Sequence, residues 1–237
     1  MSQSLIDSQN ISKAEAKMNF YESFADEFDS KMNKYDIRKR IAVVFDELLP
    51  EDISGKKLLD AGCGTGWFSK RACERGAEVT SMDLGEKLLE KVAQKCDSKR
   101  IVGSVLEMPF EDNTFDIVVS SEVIEHVTEP ATAIYEMHRV LKPGGALVLT
   151  TPNKLWYFAI WIANTFKLRP YEGLENWLWW NELKDELKNT GFEITERHGI
   201  HLFPFVHPLL YPLLNFFHQF RKGLGPLMVN MAVKCRK

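Results

Sequence analysis

A chain of 237 residues is long enough to bury a full core and short enough to be one α/β domain, at the usual ~100–200 residues per domain. Its formal net charge of −3 argues against a nucleic acid partner, which needs a strongly basic face. The four cysteines, Cys63, Cys73, Cys96 and Cys235, contain no C-x-x-C pair, and the polar stretch 1–13 has no apolar signal-peptide core, so the chain reads as a cytoplasmic protein with reduced thiols.

The first element in chain order is an acidic, aromatic leader over 19–28, with Phe20, Phe24 and Phe28 at helical spacing. A second helix is predicted from about Asp36 to Leu49, where Pro50 stops it. Strands and helices then alternate: strand 57–61, helix 67–75 with Gly76 as its stop, strand 78–83, helix 86–95, strands 100–105 and 115–121, helix 130–140, and strand 146–151. Such alternation implies right-handed crossovers and a parallel sheet covered on both faces. Pro143 and two glycines make 141–145 a tight connection into the last of these strands. Asn181 is the expected N-cap of a helix over 182–189 that Gly191 ends, and 192–199 with 228–235 reads as a final strand pair bringing an antiparallel strand to the sheet edge.

The first strand runs into Asp60-Ala-Gly-Cys-Gly-Thr-Gly66, and the second apolar run closes on Asp83. This pattern delivers backbone into a nucleoside-sized crevice with a helix starting just beyond it. Gly62 and Gly64 can take φ > 0 and let a ligand lie against the main chain, whereas Gly66 permits close packing of the following helix. Asp60 can accept from a cationic or amino group of the ligand, and Asp83 is placed to hold both ribose hydroxyls. The spacing is G-x-G-x-G after an acid, not the G-x-G-x-x-G of a dinucleotide site; an acid there repels a diphosphate and suits an ammonium or a sulfonium.

With these residues the chain resembles the class I S-adenosylmethionine-dependent methyltransferases over about residues 38–200, four of whose motifs occur in order. The resemblance implies a Rossmann-like seven-stranded, mostly parallel sheet with helices on both faces, and S-adenosylmethionine as cofactor. It also implies that Cys63 and Leu84 line the cofactor beside Gly62, Gly64 and Asp83, with Ser121 at the fourth strand. The family commonly has an acid after the glycine that ends the third strand. Here Ser104 follows Gly103, and a hydroxyl can accept the same adenine hydrogen bond without charge, with Val105 against the ring and Met108 nearby; Glu107 is an alternative acceptor.

After the fourth strand comes Ser120-Ser-Glu-Val-Ile-Glu-His126, in which Glu122, Glu125 and His126 can share one face of a helical turn. Two carboxylates and an imidazole suit a divalent cation such as Mg²⁺, or a base with an orienting acid, with Glu125 and His126 the expected takers of the acceptor's proton. The segment resembles the E-x-x-E-H element of the ubiquinone-biosynthesis O-methyltransferases, and a similar element binds metal in the small-RNA 2′-O-methyltransferases; the further histidine of those RNA enzymes has no evident equivalent here. The other reading has Glu122 facing the cofactor methionine and His126 capping the helix.

Specificity is expected after Asn153. The apolar stretch 155–163 is shorter than the ~20 residues of a bilayer span, and 202–220 is broken by Pro204, Pro208 and Pro212. Both can roof an acceptor pocket, with Trp156, Trp161, Trp177, Trp179 and Trp180 offering apolar faces with polar tips. Phe216, Phe217 and Phe220 beside Arg221 and Lys222 suit peripheral membrane contact. The organisation is therefore one methyltransferase domain over 1–237: a helical cap to residue 50, a cofactor-binding core at 51–152, a lid at 153–180, and a C-terminal helix and strands at 181–237 with a hydrophobic insertion at 201–226. The expected reaction is O-methylation of a small, hydrophobic or lipid-linked hydroxyl compound. C- or N-methylation of another metabolite, and a cofactor-binding protein without turnover, remain alternatives.

Overall fold

The computed structural model describes residues 29–30, 32–159, 176–201 and 208–237. The aromatic leader to residue 28, and the parts of the two apolar segments at 160–175 and 202–207, lie outside the described residues.

Seven strands form one sheet: β1 Lys57–Ala61, β2 Glu78–Asp83, β3 Lys99–Val102, β4 Phe115–Ser121, β5 Leu141–Pro152, β6 Glu193–Ile200 and β7 Asn230–Arg236. Their spatial order is β3-β2-β1-β4-β5-β7-β6. β1 to β5 pair in parallel, and β7 runs antiparallel to both β5 and β6. The antiparallel strand thus lies one place in from the edge that the sequence assigns it, and β6 forms the edge. The strand order reverses between β1 and β4, which opens a crevice outside their carboxyl ends.

Among the described residues the α-helices are α1 Lys34–Ala42, α2 Trp67–Glu74, α3 Glu86–Ala93, α4 Pro130–Val140, α5 Trp180–Asn189 and α6 Tyr211–His218. Consecutive residues of the central strands face opposite sides of the sheet, and both sides are buried, so these strands read as unbroken apolar runs. Leu59, Val118, Leu147 and Leu149 pack with Ile134 and Met137 of α4 and with Leu183 and Leu187 of α5. Leu58, Ile117, Val119 and Val148 pack on the other side with Ile37 of α1 and with Phe68 and Ala72 of α2.

Several predicted boundaries move, and four of the changes have a visible local reason. The helix expected to start at Asp36 begins at Lys34, because the Asn33 side chain accepts the amides of Tyr35 and Asp36 at 3.0 and 3.2 Å; beyond Ala42 it widens into a π-helical turn, Val43–Leu48, that buries Val43, Val44 and Phe45 in succession. β3 stops at Val102, since Ser104 folds the chain back on itself: its Oγ accepts the Leu106 amide at 3.1 Å. The connection 141–145 is a bulge inside β5, with Leu141 opposite Phe115 and the pairing resuming at Ala146 opposite Ile117. α5 starts at Trp180, not after Asn181, because the Glu182 carboxylate accepts the Trp179 amide at 2.9 Å and caps the helix earlier. Among the described residues no helix is long and apolar enough to cross a membrane.

Candidate active site

The glycine turn between β1 and α2 is built for close approach. Gly62, Gly64 and Gly66 all have positive φ, of 77°, 52° and 85°. A Cβ at Gly62 would lie 2.5 Å from Val123 in the loop after β4, and one at Gly66 would lie 2.8 Å from Val92 of α3. The packing served by Gly66 is therefore against a neighbouring helix, not against the strand. A Cβ at Gly64 would meet nothing within 4 Å, so it would fill only the open side of the turn. Asp83 at the end of β2 holds this turn: its Oδ2 accepts the Gly64 amide at 2.8 Å and its Oδ1 the Gly85 amide at 3.2 Å. Leu84 next to it is 43% exposed, an apolar face on the crevice rim. The Cys63 thiol donates to the Gly64 carbonyl at 3.6 Å and, with burial first and the charges of Asp60 and Asp83 next, is pushed well above the usual thiol range, which keeps it neutral.

Asp60 sits under the turn and is only 2% exposed. It accepts from Ser69 of α2 at 2.5 Å, and Ser69, Ser81 and Ser98 continue as a buried hydroxyl chain at 2.7 and 2.8 Å. Burial, aided by the charge of Asp83, lifts the Asp60 carboxyl to about 7 against the pull of Ser69. Next to β3, Ser104 spends one lone pair on its own turn, and Val105 and Met108 are buried beside it.

The segment after β4 departs from a helical face. Only Ile124–His126 forms a single 3₁₀ turn, and Glu122 precedes it with φ 58°, a left-handed conformation that a glutamate adopts at a cost. The two carboxylates turn to different partners. Glu122 accepts from Thr150 of β5 at 2.9 Å and from Asn230 of β7 at 2.7 Å, whereas Glu125 is buried and accepts from Thr151 at 3.1 Å. His126 Nε2 stands 3.9 Å from the Glu125 carboxylate. Among the described residues no group of three or more His, Cys, Asp or Glu side chains is arranged to hold a metal ion, so the expected Glu122, Glu125 and His126 ligand set is corrected to separate roles.

Ser121 faces Thr150 at 2.8 Å and Arg40 at 3.4 Å, which ties it to this acidic side. Arg40 of α1 also grips Asp36 at 2.5 and 2.9 Å, and Asp36 meets His201 at 2.9 Å beyond β6. Arg40 and Asp36 are part-buried and His201 is buried, and one guanidinium feels the charges of three carboxylates, Asp36, Glu122 and Glu125. The Glu122 carboxyl is raised by burial, although Arg40 draws it back. Asp36 also feels burial, but Arg40 and His201 outweigh it and bring it to about 2. The sequence signals Asp36 and Arg40 only as a pair four apart on a helix; His201 and Asn230 carry no local signal.

The tryptophans divide. Trp156 and Trp180 donate to the Leu227 and Gly225 carbonyls at 2.9 and 3.2 Å, Trp177 is buried, and Trp179 is exposed; Trp161 lies outside the described residues. On α6 and its flanks Leu209, Leu213, Phe216 and Phe220 form one exposed stripe, and Leu209 is 84% exposed. Of the basic pair, Lys222 is exposed, but Arg221 is bound to Glu47.

A methyltransferase domain family matches residues 59–149. A ubiquinone biosynthesis O-methyltransferase of Pseudomonas aeruginosa is 38% identical over 120 residues, covering 46% of this chain and 50% of that protein. The chain thus spans about half the length of that relative. One of the same description from Marinobacter nauticus is 32% identical over 163 residues, covering 62% of this chain and 68% of that protein. A Thermotoga maritima structure described as an S-adenosylmethionine-dependent methyltransferase, possibly a histamine N-methyltransferase, shares the fold with a TM-score of 0.68 at 19% identity, covering 92% of this chain and 99% of that one.

Proposed function

The chain belongs to the S-adenosylmethionine-dependent methyltransferases, and from that premise we propose that it moves the donor's methyl group to a hydroxyl of a small hydrophobic acceptor such as a quinone precursor. The observation that carries this reading is the acidic acceptor side. The donor half of the crevice lies over β1 and β2, so the acceptor stands over β4 and β5, where Glu122 sits among groups able to orient it.

The fit to the donor rests on the glycine turn, whose open side at Gly64 a Cβ would fill, and on Asp83 beside it. Gly62, Gly64, Asp83 and Leu84 would hold the nucleoside, with Ser104 and Val105 toward the base. When bound, S-adenosylmethionine supplies a methyl carbon already made electrophilic by its sulfonium. What remains for the protein is alignment and removal of one proton from the acceptor. Of Glu122, Glu125 and His126 we assign that proton to Glu122, because burial raises its carboxyl and it is less enclosed than Glu125. The test is incubation of the protein with methyl-labelled donor and lipid or aqueous metabolite extracts. Label in a lipid-soluble ether supports the reading, and label only in amines or carbon acceptors rejects it.

Asp60 links donor binding to pH. Its carboxyl titrates near 7 in the free protein, and a cationic ligand favours its charged form, so binding expels a proton. Donor affinity should rise with pH up to about 7, by at most tenfold per unit, and then level; calorimetry across that range measures it. Asp60→Asn should flatten the curve, and an unchanged slope would show that the donor does not sense this carboxylate.

The apolar stripe of α6 supports a lipid-dissolved acceptor. With Arg221 committed to Glu47, apolar burial dominates the contact, and the protein should sediment with neutral as well as anionic liposomes with little loss in salt. Phe216→Ser with Phe220→Ser should release it and leave donor affinity intact. Retention of the double variant on vesicles would reject the stripe as the contact.

A further inference from the structure

A lysine ammonium is strongly hydrated and its long side chain gives up much freedom when fixed, so a lysine drawn inward must be held by strong partners. Lys95, just beyond α3, leaves only 15% of its side chain exposed. Its ammonium crosses to the glycine turn, where it donates to the Thr65 carbonyl at 2.8 Å, and it pairs with Asp29, ahead of α1, at 2.7 Å. Asp29 in turn accepts the Thr65 hydroxyl at 2.6 Å and the Trp67 indole N–H at 3.0 Å. The same ammonium stands 5.4 Å from the centre of the Trp67 ring. Burial raises the Asp29 carboxyl, but Lys95, Thr65 and Trp67 outweigh it and hold it below its usual range.

These contacts complete what Asp83 begins. The Asp83 carboxylate holds the Gly64 amide, and one residue on the Lys95 ammonium holds the Thr65 carbonyl, so two opposite charges grip the backbone on either side of the turn's open position. A trans peptide points its C=O and N–H in opposite directions. The carbonyl fixed on Lys95 therefore sends the Gly66 amide the other way, onto the Cys63 carbonyl at 2.9 Å. The Thr65 side chain, 2% exposed, is tied down by Asp29 at the same time. Lys70, the second lysine against Trp67 at 5.8 Å from the ring centre, turns its ammonium to Glu74 instead, at 3.9 Å.

We propose that Lys95 and Asp29 are positioning residues for the donor: acting through Thr65, they set the glycine turn in its binding shape before the donor arrives. This rests on the donor reading of that turn and deepens it. A turn set in advance has less freedom to lose on binding, so the pair adds to affinity through the backbone it holds. It also makes the segment ahead of α1 part of the donor site, although the family match begins only at residue 59.

The test is calorimetry of the whole chain with S-adenosylhomocysteine, alongside thermal unfolding. Lys95→Met should raise the dissociation constant about tenfold, and Lys95→Arg, which keeps a cation for both partners, should bring it back to within about threefold of the wild type. Lys70→Met removes the other cation from Trp67 and should leave the constant unchanged. Asp29→Asn keeps an acceptor for Thr65 and Trp67 but loses the charge that holds Lys95, and should fall between the wild type and Lys95→Met. Should Lys95→Met fold poorly, Asp29→Asn decides in its place: weaker binding at an unchanged melting temperature supports the proposal, and wild-type binding overturns it. Wild-type affinity in Lys95→Met, equal weakening in Lys70→Met, or a Lys95→Arg variant as weak as Lys95→Met also overturns it. If the wild type itself does not bind S-adenosylhomocysteine, the donor reading of the turn fails first and this inference falls with it.

Discussion

Replacing Asp83 with alanine is expected to raise the dissociation constant for S-adenosylmethionine by about 10²- to 10⁴-fold, the loss of two charge-assisted hydrogen bonds to the ribose. The structure adds a second cause. The same carboxylate fastens the Gly64 and Gly85 amides, so its removal also loosens the turn proposed to receive the nucleoside. Calorimetry measures the affinity, and thermal unfolding separates the two causes, because the turn contributes to both and the ribose contacts to affinity alone. Asp83→Asn keeps one acceptor oxygen and should fall between the wild type and Asp83→Ala. Unchanged donor affinity in Asp83→Ala would remove this residue from the site.

The second large effect concerns Glu122. Glu122→Gln is expected to lower kcat by about 10²- to 10⁴-fold, the usual contribution of a positioned base, with donor affinity unaltered. The amide retains partners in Thr150 and Asn230, so the fold should survive. The pH profile supplies the sign. A base must be ionised to act, and this carboxyl is held above its ordinary range, so kcat/KM should fall with acidification from a point above that of a normal glutamate. If instead His126→Ala abolished turnover and Glu122→Gln spared it, the proton would belong to the histidine.

The glycine turn and the strands that frame it were legible in the sequence because they are local. β2 and β4 occupy the residues expected of them, since their apolar runs end sharply in an acid or a serine, and β1 ends where its glycines begin. Gly62, Gly64 and Asp83 lie within 22 residues of one another in the chain, and their spacing alone points to the crevice. The surroundings of Glu122 were not legible, for two physical reasons. A left-handed Glu122 has no sequence signature, as it does at a glycine, so the helical convergence with Glu125 and His126 was the natural expectation. The groups around it are gathered by tertiary pairing: Arg40 reaches Ser121 across 81 positions and Asp36 reaches His201 across 165. Asn181 misled in a smaller way, since a good capping residue lost to the carboxylate of its neighbour Glu182, which reaches back to the Trp179 amide.

The place of β7 bears on how such a protein can change. β7 pairs antiparallel with β6, with Ile200 opposite Asn230, so the chain between them leaves and rejoins one sheet, and the chain that leaves β5 at Pro152 makes a second such excursion before β6. Closing a loop costs entropy that grows only as the logarithm of its length, about 0.6 kcal/mol for each doubling. Insertions and rewritten sequence in these two excursions are therefore nearly free to the sheet. The segment matched by the methyltransferase domain family, residues 59–149, carries the glycine turn and Asp83, and drift there should cost donor binding. The two excursions are where new chemistry can be tried, and exchanging them between relatives is a route to moving acceptor choice from one protein to another.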